Sequence, residues 1–134
     1  MKIATSLIES RKLVGIGIDP STADMHYAFS AIGGESFQDM IDASATLMVG
    51  RTNRKYPYEP AWSVGALIDL LPAVLTDEKG DYYLEIGKFG ANGNYVVQYI
   101  NEDNYPIMRY RNSGKELIIC LWLTVCDLKK ANKL

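Results

Sequence analysis

The chain is short of the residues that build metal and nucleophile sites: 134 residues hold one histidine, His26, and two cysteines, Cys120 and Cys126. One imidazole and two thiols cannot furnish a His/Cys zinc-type ligand set, so no metal site of that kind is expected. A Ser or Cys hydrolase would have to use His26 as its base, and no G-x-S-x-G elbow accompanies it; the ordinary reading is a packed or turn histidine. The two cysteines lie inside one apolar run, six positions apart, which on a helix turns them about 120° from each other. They cannot bridge to one another, and the expectation is two buried, reduced thiols acting as small apolar side chains. An excess of positive charge is missing too, with 14 Lys and Arg against 16 Asp and Glu and a net charge of −2. No global field therefore draws the chain to nucleic acid or to an anionic membrane. The longest apolar run, residues 117–123, falls far below the ~20 residues of a membrane span. Glu9, Arg11 and Lys12 interrupt any signal-like stretch near the start, so the expected place is a reducing cytoplasm. No cofactor is expected.

What is present reads as one α+β domain over residues 1–134, an antiparallel meander of about three strands packed against at least three helices. Ser6 and Glu9 have capping-box spacing for a helix ending near Gly15. Asp19-Pro20-Ser21 forces a turn, and Ala23 to Phe29 reads as a strand or extended arm. Residues 36–49 place Phe37, Met40, Ile41 and Ala45 at helical offsets, and residues 50–58 read as an exposed basic loop. Tyr58-Glu-Pro-Ala-Trp-Ser-Val-Gly-Ala-Leu-Ile-Asp-Leu-Leu-Pro72 reads as a buried helix, with Pro60 at its first position and Pro72 ending it. Alternation over residues 82–88 and 95–100 around Asn92-Gly93 predicts a hairpin with a type I′ turn. A third strand is expected at 107–110. A second capping box, Ser113 to Glu116, should open a terminal helix with Trp122 in the middle of the core.

The order Ser10-Arg-Lys-Leu-Val, Ile18-Asp-Pro-Ser-Thr-Ala-Asp-Met25, the Pro60 to Pro72 segment, a Tyr-rich hairpin and a Trp-containing last helix resembles a set of small proteins. These are uncharacterised proteins of Bacteroides-type genomes, often encoded near prophages and integrative elements. The resemblance covers most of the chain outside about residues 30–56. It implies an accessory protein of a mobile element and brings no catalytic residue or cofactor.

Two chemistries compete. Val14-Gly-Ile-Gly-Ile-Asp-Pro-Ser21 resembles the first strand of RNase H-like and resolvase-type nucleases, where an Asp in the place of Asp19 binds Mg²⁺ or Mn²⁺, and Glu85 and Asp127 could complete a set. The family's acidic pair on the last helix is missing, however, since Asp127 stands alone. The favoured expectation is a non-enzymatic accessory or interaction protein. Tyr83, Tyr95, Tyr99 and Tyr110 would form an amphipathic strip for a protein partner, a second copy of the chain included, or for carbohydrate, because tyrosine gives large contact area at low entropy cost. Arg51, Arg54 and Lys55, interleaved with Tyr56 and Tyr58, offer phosphate and stacking contacts; in a net negative chain such a loop is more often simply solvated, so nucleic acid is not the expected partner.

Overall fold

A computed structural model of the chain describes residues 2–29, 45–50 and 58–134. Helix α1 (Leu7–Gly15) starts on the expected capping box: Glu9 N donates to Ser6 Oγ at 3.2 Å and Ser6 N to Glu9 Oε1 at 2.8 Å. Two donors that a helix start leaves orphaned are thereby satisfied by one tetrapeptide. The helix buries Ser10 and Leu13. Arg11 Nε reaches the carboxylate of Glu59 at 2.9 Å, tying the helix to a strand 48 residues away.

That strand belongs to a small antiparallel sheet. Strands β1 (Met25–Phe29), β2 (Ala45–Val49) and β3 (Tyr58–Ala61) lie in the order β2-β1-β3. The helix expected over 36–49 is corrected at its end, because 45–49 is β2; residues 36–44 lie outside the described residues. Ala-Thr-Leu-Met-Val pairs antiparallel with β1, Met25↔Val49 through Phe29↔Ala45, a pairing that outweighs a weak helical pattern. Likewise Tyr58 closes the expected basic loop by entering β3, while residues 51–57 lie outside the description. Pro60 is corrected as well: it sits in β3 opposite His26 instead of opening a helix. An edge strand tolerates a residue without an N–H. Helix α2 is consequently short (Val64–Leu70), capped by Ser63, whose Oγ accepts from Ala66 N at 3.1 Å. It ends before Pro72, as expected.

Four more strands, β4 (Val74–Asp77), β5 (Gly80–Phe89), β6 (Asn94–Ile100) and β7 (Asn112–Gly114), form a meander in the order β4-β5-β6-β7. The hairpin forms with the register Tyr83↔Ile100 through Phe89↔Asn94. Its connection is a four-residue loop, 90–93, with Gly90 and Gly93 at positive φ, not a two-residue turn. The third strand is displaced: 108–110 make a 3₁₀ turn (Met108–Tyr110), and the strand that pairs with β6 is β7. Since Ser113 is spent on pairing with Val96, no second capping box forms, and Glu116 precedes the last helix without a side-chain cap.

Helix α3 (Leu117–Lys130) packs on β6 and β7 and against α2. Ile118, Leu121, Val125 and Leu128 are fully buried with Leu13, Trp62, Leu67, Val97 and Tyr99. Trp122 does not share that position. It is half-buried at the seam with α1, its Nε1 donating to Glu9 O at 3.2 Å and the Lys12 ammonium 5.4 Å from its ring. Positions 118, 121, 125 and 128 share one side of a 3.6-residue helix, which turns 122 away toward α1. The molecule is thus α+β, with three helices and two antiparallel sheets among the described residues. No helix of the described residues is long and apolar enough to cross a membrane.

Candidate functional site

Register decides which tyrosines can meet anything outside the molecule. Cross-strand partners share a face of a sheet, and successive residues alternate faces. On the inner face Leu84 pairs with Tyr99, Ile86 with Val97 and Lys88 with Tyr95. Tyr99 is fully buried under α3; its hydroxyl donates to Pro72 O at 2.7 Å, and burial pushes the phenol far above its ordinary range. Tyr95 is half-buried, with the Lys88 ammonium 5.1 Å from its ring, and Tyr110 is buried in the core. Of the four candidate tyrosines only Tyr83 is exposed, so they do not form one strip. Arg51, Arg54 and Lys55 lie outside the described residues.

Asp19 takes the turn position. It caps the 3₁₀ turn Pro20–Thr22, accepting from Ser21 N at 2.9 Å, and this hydrogen bond holds its carboxyl below the usual range. Glu85 accepts from Gln98 Nε2 at 2.8 Å on the sheet, and Asp127 accepts from Asn112 Nδ2 at 3.2 Å on α3. Among the described residues no group of three His, Cys, Asp or Glu side chains is placed to hold a metal ion, so these three carboxylates are not brought together. His26 Nδ1 lies 2.7 Å from Gly50 O, joining β1 to the end of β2. Asp24, which accepts from Ser63 N at 2.9 Å, ties the β1 approach to the start of α2.

The outer face of the meander is the surface left over. Val74, Tyr83 and Ile100 make a row across β4, β5 and β6, with Val74 41% and Tyr83 44% exposed. On one side of this row Thr76 Oγ1 donates to Asp81 at 2.6 Å. A hollow of about 280 Å³ beside Tyr83 is lined by Asp81, Glu102 and Asp103, with Lys79 and Asn101. On the other side a polar ladder runs from Arg111 Nε to Gln98 Oε1 at 3.2 Å and on to Glu85. Beyond it come the Gly87↔Val96↔Ser113 row and then Phe89 opposite Asn94.

Sequence reasoning passed over Val74, Phe89, Ile100 and Arg111. Gly87 inside a strand was the available signal, since a strand glycine marks a close approach. Arg111 and Val74 carried none, because Arg111 meets Gln98 only where the chain returns beside β6, and the face that Val74 takes is set by its register with Tyr83. Compared with known protein families, curated proteins and solved structures, the chain matches none of them.

Proposed function

We propose that the protein is a non-enzymatic interaction protein that docks a protein partner on the Val74–Tyr83–Ile100 end of its outer sheet face. The observation that carries the reading is that apolar row, its Val74 and Tyr83 exposed and its Ile100 partly buried, on a sheet whose other face packs on the core beneath α3. A rigid tyrosine flanked by β-branched residues buries area at little entropic cost. Asp81, Glu102 and Asp103 beside Tyr83, set against Lys79 as the one cation of the hollow among the described residues, favour a partner that carries Lys or Arg next to its apolar anchor. We place this activity in a reducing cytoplasm, where the buried thiols Cys120 and Cys126, both pushed up by burial, stay protonated and unreactive. The sequence resemblance supports an accessory role for a mobile element.

The test is affinity capture from the source cells with the parent, with Val74→Asp/Tyr83→Asp, and with Ile8→Asp as a control on the exposed side of α1. A stoichiometric partner kept by the parent and by the control but lost by the double variant is the expected result. Retention by the double variant, with unchanged melting in all three, refutes the site. The nuclease reading has its own check: Mg²⁺- or Mn²⁺-dependent cleavage of DNA that Asp19→Asn abolishes would replace the proposal.

A further inference from the structure

The far end of the outer face holds a second hollow of about 280 Å³, lined chiefly by Phe89, Asn92, Asn94, Val96, Arg111 and Ser113. Phe89 lies six positions along β5 from Tyr83, roughly 20 Å at ~3.3 Å per residue, so this site stands apart from the docking row and does not depend on it.

Its floor is built by a glycine. A Cβ on Gly87 would lie 2.7 Å from Cζ of Phe89, so the bare backbone at 87 lets the ring two residues on lie down over the sheet. Val96, the cross-strand partner of Gly87, is buried although it belongs to the outer face, while Phe89 keeps 46% of its surface in water. One side of the ring is thus packed and the other is a flat aromatic platform.

The wall is polar and carries little free charge. Asn92, Asn94 and Ser113 supply amide and hydroxyl groups, and among the described residues no carboxylate or lysine lines the hollow. Its one cation among the described residues, Arg111, already donates through Nε to Gln98, which donates in turn to Glu85. The ladder ends in a carboxylate, which offsets the guanidinium and makes the hollow a poor anion site. Asn94 Oδ1 is buried and receives no hydrogen bond. Such an acceptor is costly to leave unmet, and a modest turn about its soft terminal torsion would present it to a donor.

A flat apolar platform ringed by neutral donors and acceptors matches one ligand chemistry, a ring with a C–H face and hydroxyls around its rim. We infer that this hollow binds a neutral sugar ring, stacked on Phe89, with hydroxyls to Asn92, Asn94, Ser113 and the remaining N–H groups of Arg111. With few ligand atoms and an open site, affinity for a single ring is on the order of millimolar.

The experiment is an amide chemical-shift titration of the full chain with glucose, galactose, mannose and N-acetylglucosamine, and with glucose 6-phosphate as the anionic comparison. At least one neutral sugar is expected to shift the amides of 89–96 and 111–113 in a saturable way. Phe89→Ala and Asn92→Ala should each weaken it tenfold or more, and Gly87→Ala should weaken it by lifting the ring without removing it. Asn92 is exposed in the loop, so its variant keeps the test alive if Phe89→Ala does not fold. The inference is overturned if no neutral sugar shifts these amides, if the shifts survive both Phe89→Ala and Asn92→Ala, or if only the phosphorylated sugar binds. Any of these outcomes leaves the Val74 and Tyr83 capture result standing.

Discussion

The two tryptophans should differ sharply in what they contribute, and replacing each by alanine measures how the core is assembled. Trp62 is the largest fully buried side chain, and its indole N–H donates to Thr22 Oγ1 at 2.9 Å. Truncation removes about 4–5 kcal/mol, from lost transfer and the cavity left behind. Thr22 is exposed, so losing the hydrogen bond adds little once water replaces it. Trp122 is half-buried, so its truncation loses part of that area, the bond to Glu9 O and the contact with the Lys12 ammonium, together about 1.5–2.5 kcal/mol. At ~2.1 cal/mol/K per residue the unfolding entropy of a chain this size is roughly 0.28 kcal/mol/K, so Trp62→Ala should lower Tm by about 14–18 °C and Trp122→Ala by about 5–9 °C. Urea titrations followed by far-UV circular dichroism give the free energies, with equal m-values as the check on two-state unfolding. If Trp122→Ala costs as much as Trp62→Ala, or if Trp62→Ala costs less than about 2 kcal/mol, then the core does not centre on the β3–α2 junction and this assignment fails.

Gly93→Val should destabilise the hairpin by about 1–2 kcal/mol, because Gly93 has φ +62° and a β-branched residue tolerates the left-handed region badly; an unchanged Tm would remove the loop assignment. Burial alone would raise the Glu9 carboxyl, but the ammonium of Lys2 at 2.8 Å and the bonds from Ser6 hold it below its ordinary 4.5. Its folded pKa is therefore depressed, so its stabilisation is present above 4.5 and is lost as pH falls through the folded value. Lys2→Ala should flatten that acid limb in a series of urea midpoints against pH, and an unaltered slope would show that the pair contributes nothing.

Short-range chemistry made part of this fold legible. The Ser6–Glu9 box, the Asp19-Pro20 turn, the end of α2 before Pro72 and the β5–β6 hairpin each depend on residues within one turn or one strand pair, where hydrogen bonds and steric limits act without help from the rest of the chain. Elsewhere local preference lost to pairing. Pro60 opened no helix because β1 needed an edge partner, and Ser113 capped nothing because Val96 on β6 took it into β7. The candidate surface was decided the same way. Tyr83 and Tyr99 belong to strands with equally good alternation, but the register that pairs Tyr83 with Ile100 and Leu84 with Tyr99 sends one outward and the other under α3. Residue type and period tell that a strand has two faces; only packing of a helix against one of them tells which is buried, because that choice is made by elements far apart in the chain.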